Sequence, residues 1–381
     1  MASHGSSFQK VFMGAAGSSG AAADSALLVL GGTSSPRIKA YVHDKAGGFT
    51  AASTTGGNTS TINAFIQGMA FSSDDAFLSI VKDTNDDGMR LLNISSTGVM
   101  TLADDQNGRL NNQGEVATSN LNNNLAAFSI SESVHLYGNN SGTNVRHTTD
   151  NTGYNLGSGN GGKSVDFSKN DQYLVVPRVD NKITIFTIPN TTNATTGNQD
   201  SLDNSDLFTS SSITDGSGVV ACARFIDASH NIAAVTRDSN NYQIITFSWD
   251  GSSLTQLDEL TLANTGDLST NEPLAVSPDG KYAFVGVGTD NGQGANVFLV
   301  DLNDLTDISI ADSLEKATAS NRRIHGNVKF SASGTFIAST VMNTDDVHIF
   351  SHDGSGNLTH VREFDSGVGN VYALAFSNIA V

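Results

Sequence analysis

Short apolar runs recur along almost the whole chain, separated by turns rich in Gly, Asn, Asp and Ser. The clearest unit is Leu274-Ala275-Val276-Ser277-Pro278-Asp279-Gly280-Lys281-Tyr282-Ala283-Phe284-Val285: an apolar strand, a tight turn and a second apolar strand. The same pattern appears at Met69-Ala70-Phe71-Ser72-Ser73-Asp74-Asp75-Ala76-Phe77, at Val165-Asp166-Phe167-Ser168 and at Val328-Lys329-Phe330-Ser331. The first strand of each unit ends at Phe71, Thr118, Phe167, Phe225, Val276, Phe330 and Phe376, with intervals of 46 to 58 residues. Runs of this length with strand-like composition predict about one four-stranded sheet per interval and leave little room for helices.

The last unit is incomplete. Val371-Tyr372-Ala373-Leu374-Ala375-Phe376 has no second strand after it, whereas Leu27-Leu28-Val29-Leu30 near the start has no first strand before it. A split repeat of this kind is expected where the last strand pairs with the first to close a ring. The predicted fold is therefore all-β: a seven-bladed β-propeller over residues 25–381, closed by the C-terminal strand, with a short flexible arm at residues 1–24. In the arm, Phe8, Val11, Phe12 and Met13 offer apolar groups for docking, and Gly14 to Ala23 are small residues suited to a flexible tether.

Composition narrows the function classes. With 38 acidic against 20 basic residues the formal charge is −18, which disfavours nucleic acid and anionic lipid surfaces as partners. There is no apolar run of membrane-spanning length and no secretory h-region, so neither membrane insertion nor a cleaved signal is expected. The lone Cys222 permits no internal disulfide and lies in an apolar strand, as an inert core thiol would.

Few stretches resemble a chemical motif. Asp83, Asn85 and Asp87, followed by Gly88, match the first half of a calcium loop and are the candidate metal ligands, with calcium the candidate cofactor. The closing acidic residue of such a loop is absent, because its twelfth position is Ile94. Asp301-Leu302-Asn303-Asp304 with Asp307 is a looser case. Gly157 to Ser164 spells a phosphate-loop pattern, but a strand follows it instead of the helix that such a loop needs, so a connection between blades is expected. The histidines are scattered singly with no metal-binding spacing, and His348 lies inside an alternating strand as a structural residue would. The irregular polar stretch Pro189–Ile213 is the candidate binding loop.

The phrases Ser277-Pro278-Asp279-Gly280-Lys281-Tyr282 and Phe71-Ser72-Ser73-Asp74-Asp75-Ala76-Phe77 resemble bacterial and phage WD40-like (YVTN-type) propellers. Gly31-Gly32-Thr33-Ser34-Ser35-Pro36 through Tyr41, with Gly47-Gly48-Phe49-Thr50, is similar to repeats of tailed-phage virion proteins. Phe8 to Gly17 is similar to the leaders of marine-phage structural proteins. These resemblances imply a non-enzymatic virion protein of a tail, fibre or capsid surface, present in many copies on an extracellular particle. It would join other virion proteins through residues 1–24 and meet host surface carbohydrate through its loops. The alternatives are a lactonase-like propeller hydrolase or a general interaction scaffold. A hydrolase requires a polar, metal-binding or acid/base cluster at the central channel, and spacing alone assembles none.

Overall fold

The computed structural model describes residues 27–43, 48–52, 62, 65–83, 89–95, 97–105, 114–120, 125–130, 133–140, 143–146, 154–157, 164–188, 207–213, 218–238, 241–263, 273–287, 296–315, 325–341 and 344–378. The arm at residues 1–24 lies outside them. All described regular structure is antiparallel β-sheet, and the described residues include no helix.

Ring closure occurs as the split repeat requires. Val371–Phe376 is the inner strand of a sheet continued outward by Leu27–Gly32, Ile38–His43 and Phe49–Ala51. Its register pairs Leu28 with Phe376 and Leu30 with Leu374. Ser377 caps the seam: its N–H donates to the Leu27 carbonyl at 3.0 Å and its Oγ accepts the Leu27 N–H at 3.0 Å.

Around the ring follow six further sheets, each beginning at its innermost strand. The second runs from Phe65–Phe71 to Met100–Asp105, the third from Val116–Thr118 and the fourth from Asp166–Phe167 to Leu207–Thr209. The fifth runs from Val219–Phe225 to Leu254–Ala263, the sixth from Leu274–Val276 to Ser309–Leu314, and the seventh from His325–Phe330 to Leu358–Asp365.

Six sheets have four strands each, and the third has five. This corrects the expectation of equal four-stranded blades. In the third sheet the long strand Ser133–Asn140 carries two short partners on its outer side, Thr143–Arg146 against Tyr137–Asn140 and Tyr154–Asn155 against Ser133–Val134. A second correction concerns Pro189–Ile213, whose end supplies the outer strand Leu207–Thr209 of the fourth sheet; residues 189–206 lie outside the described residues.

An apolar cluster fills each junction between neighbouring sheets. The seam itself buries Leu28, Leu30, Val371 and Leu374 against Ala338, Val347 and Ile349 of the seventh sheet. Cys222, fully buried, packs at the junction of the fifth and sixth sheets, as its apolar strand suggested. Aromatic pairs add a repeated inter-sheet contact. The first residue of a second strand meets the last residue of the next sheet's third strand, as in Tyr173–Trp249, Tyr282–His352 and Phe336–His43.

The turn after the first strand is also repeated. Ser72, Ser168, Ser277 and Ser331 each accept, on Oγ, the backbone N–H five residues on. The fourth turn residue is left-handed: Gly280 and Gly334 in two turns, but Asp75 (φ 55°) and Asp171 (φ 58°) in two others. A non-glycine residue there carries a conformational cost, and each aspartate has a compensating inter-sheet role. Asp171 accepts the Asn120 N–H at 2.7 Å from the third sheet, and Asp75 accepts the Asn378 N–H at 2.8 Å from the closing sheet.

Because Leu374 is 1% exposed at the seam, Leu374→Ala is expected to lower the unfolding free energy by about 2–5 kcal/mol. Urea denaturation measures this, and a loss under about 1 kcal/mol would mean that the seam contributes little to stability.

Candidate functional site

The seven residues that end the inner strands bring seven others with them, one position earlier: Ala70, Ala117, Asp166, Arg224, Ala275, Lys329 and Ala375. All seven line two adjoining hollows at the centre of the ring, of about 480 and 260 Å³. Four are alanine, which keeps the space open, and three are charged. Two residues beyond each strand end lies a second tier, of which Asn120, Lys169, Pro278, Ala332 and Asn378 border the larger hollow.

Glu115, in the turn entering the third sheet and 1% exposed, ties the charged residues together. Its Oε1 accepts from Arg224 Nη2 at 2.6 Å and from Lys329 Nζ at 2.9 Å, and its Oε2 accepts the Val165 N–H at 3.3 Å. Arg224 is further fixed by Nη1 donating to the carbonyls of Val165 (3.4 Å) and Ala223 (3.2 Å). One buried carboxylate thus links the third, fourth, fifth and seventh sheets. Its placement depends on a glycine, because a Cβ at Gly68 would lie 2.9 Å from the Glu115 Cα and from the Val116 N.

Asp166 stands beside this cluster. Its Oδ2 accepts the Phe225 N–H at 2.8 Å. Burial pushes its carboxyl above the usual carboxylate range, and the Glu115 charge adds to the rise. The positive charges of Arg224 and Lys169, together with the Phe225 N–H, oppose it. A carboxyl raised by desolvation beside fixed cations and an open hollow is a group poised for proton transfer. The cations beside it can stabilise a developing oxyanion.

Of the residues singled out from sequence for their chemistry, those that are described fall elsewhere. Asp83 ends the second strand of the second sheet, while Asn85 and Asp87 lie outside the described residues. Among the described residues no group of three or more His, Cys, Asp or Glu side chains could hold a metal ion. Asp301 and Asp304 cap their own turns, Asp301 accepting the Asn303 N–H and Asp304 the Thr306 N–H. In the phosphate-loop match, Gly157 and Ser164 are described; Ser164 is fully buried and accepts the Ala223 N–H at 3.3 Å, and a strand follows. No histidine lines either hollow. His348, fully buried, bonds to His360 at 3.0 Å on the seventh sheet.

Sequence reasoning missed Glu115, Asp166, Arg224 and Lys329 as a group. The available signal was one step away: reading the position before each strand end shows charge at three of seven equivalent places.

No protein-family model matches the chain, and no curated protein matches it at a significant level. Solved structures do match. A protein of Bacteroides fragilis provisionally assigned as a 6-phosphogluconolactonase aligns with a TM-score of 0.69 at 14% identity, covering 94% of this chain and 99% of that one. The periplasmic gluconolactonase of Pseudomonas aeruginosa aligns with a TM-score of 0.65 at 16% identity, covering 92% and 99%. A second protein provisionally assigned as a 6-phosphogluconolactonase, from Bacteroides uniformis, gives 0.64 at 14%, covering 92% and 99%. Likeness at this identity carries the fold, an all-β propeller.

These matches correct the expectation of a non-enzymatic phage virion protein. Three propellers similar to this chain over nearly its full length are named for lactone hydrolysis, and the resemblance to tail, fibre and capsid proteins gains no support from them. The phrases that suggested it, such as Gly31 to Pro36, belong to strand ends and turns that a propeller needs whatever its role.

The raised carboxyl of Asp166 has a consequence for stability. Below the ordinary aspartate value of 3.8 the side chain is protonated in both folded and unfolded chains, and its burial costs nothing electrostatic. As pH rises through that value the unfolded chain loses the proton first, and stability falls until the folded carboxyl ionises too. Asp166→Asn keeps an acceptor for the Phe225 N–H but removes the charge. Its urea midpoint relative to the parent is therefore expected to rise between acid and neutral pH and then level off; a pH-independent difference would refute this.

Proposed function

We propose that this chain hydrolyses lactones of sugar acids at the centre of its ring. The observation that carries the reading is the placement of Asp166, Arg224 and Lys329 at equivalent positions around one open hollow, held by the buried Glu115. The likeness to propellers named as gluconolactonase and 6-phosphogluconolactonase supports it from a separate direction. Counting the five-stranded sheet as a blade, we read the ring as seven-bladed.

The chemistry follows from the groups present. Ionised Asp166 takes a proton from a water molecule whose oxygen attacks the lactone carbonyl carbon. The carbonyl oxygen becomes an alkoxide, which the Lys329 ammonium and the Arg224 guanidinium stabilise. When the intermediate collapses, the ring C–O bond breaks and the leaving ring oxygen receives the proton from Asp166. Product is the open hydroxy acid, and the carboxylate is restored. Glu115 acts as a positioning residue, since without it two cations would repel each other across the hollow.

Purified full-length protein is expected to open glucono-δ-lactone or 6-phosphoglucono-δ-lactone faster than the buffer blank in a pH-stat. Asp166→Asn is expected to lower kcat by about 10²–10⁴-fold, the range for a lost general base, while keeping the parent far-UV circular dichroism spectrum. The acid limb of the parent's kcat profile is expected above the ordinary carboxylate range, because burial raises the Asp166 carboxyl. A folded protein that opens neither lactone would overturn the reading.

A further inference from the structure

Three cations and two carboxylates line the central hollows: Lys169, Arg224 and Lys329 against Glu115 and Asp166. This local excess of positive charge sits in a chain of net charge −18. The three cations are not equivalent. Arg224 and Lys329 both bond Glu115. Lys169 forms no ion pair or hydrogen bond with any described residue; it borders the larger hollow, and its charge acts on Asp166 only through space.

Its position in the repeat is also distinctive. Lys169 belongs to the tier two residues past the strand ends, which comprises Ser73, Asn120, Lys169, Asp227, Pro278, Ala332 and Asn378. Of the five that border the hollow, Lys169 is the charged one. Asn120 and Asn378, in the same tier, are occupied in stapling adjacent sheets through Asp171 and Asp75. Lys169 staples nothing, and its outgoing turn needs no side chain from it: the turn is closed by Ser168 and Asn170. An ammonium left in a partly enclosed polar hollow, with the catalytic carboxyl one tier below, has the chemistry to receive a phosphate or carboxylate oxygen.

We propose that Lys169 is a specificity-determining residue, which selects lactones bearing a second oxyanion, a phosphate or carboxylate remote from the ring carbonyl, over neutral ones. This inference rests on the hydrolase reading above and goes beyond it by assigning the substrate's charge and the side chain that recognises it. The reacting carbonyl would lie in the lower tier against Arg224 and Lys329. The anionic tail would then point outward to the mouth of the hollow.

The test compares kcat/KM for 6-phosphoglucono-δ-lactone and for glucono-δ-lactone in the parent, Lys169→Gln and Lys169→Arg. The parent is expected to prefer the phosphorylated lactone. Lys169→Gln is expected to reduce that preference by about 10–100-fold, mainly through KM, in keeping with the loss of one charge-assisted hydrogen bond. Lys169→Arg is expected to restore most of it. Glucaro-1,4-lactone in a third arm separates recognition of carboxylate from recognition of phosphate: a Lys169-dependent preference for either one supports the proposal. Equal losses on charged and neutral lactones, or an unchanged preference in Lys169→Gln, would overturn it and leave the hydrolase reading standing. A parent that opens no lactone at all would overturn both.

Discussion

A circular sheet arrangement depends on one pairing that the chain must make between its two ends. The outward strand Leu27–Gly32 has Ile38–His43 on one side and would expose its other edge if Val371–Phe376 were not there. Exposed strand edges leave backbone N–H and C=O groups unpaired and invite other chains to pair with them. Here the edge is filled by residues 344 positions away, Leu30 against Leu374. Every junction around the ring then acquires a neighbour on both sides, and the apolar clusters form a continuous belt. The central hollows exist because closure holds seven inner strands at a fixed distance from one another.

That geometry explains how so polar a group can be buried. A carboxylate such as Glu115, 1% exposed, would be heavily penalised in an apolar interior. Two cations and a backbone N–H satisfy it, and they come from three other sheets. Replacing the arrangement with apolar residues of similar volume is often neutral or stabilising in proteins, so stability gives little reason to keep it. The second carboxyl, Asp166, is raised by its own burial, and the cations beside it oppose that rise.

The architecture was largely legible from the chain. Inner and second strands are apolar and end in a Ser-initiated turn, so Leu274–Val276 and Tyr282–Gly286 stand out at once. Outer strands were far less legible, because one side faces water. Leu358–Asp365 alternates exposed with mostly half-buried positions, and Ser309–Leu314 has no fully buried residue. Tyr154–Asn155, only two residues long, joins Thr143–Arg146 on the outer edge of the third sheet and is too short to show a periodic pattern. The site was illegible for a different reason. Glu115 and Lys329 are 214 residues apart, and Glu115 lies outside the repeat-equivalent set to which Asp166, Arg224 and Lys329 belong, so no single spacing brings the four together.

The repeat carries this charged cluster without disturbing its scaffold. The position before each strand end faces the hollow in every sheet, and where it is alanine the small side chain also touches the apolar junction, as Ala275 and Ala375 do. Alanine occupies it four times, and charge three times. The next tier outward is under more constraint, since Asn120 and Asn378 are committed to aspartates whose left-handed backbone would otherwise be better served by glycine. Of the second-tier residues that border the larger hollow, Lys169 makes no such staple. The acidic exterior sharpens the contrast: an anion approaching the ring meets repulsion almost everywhere, and attraction where the cations converge.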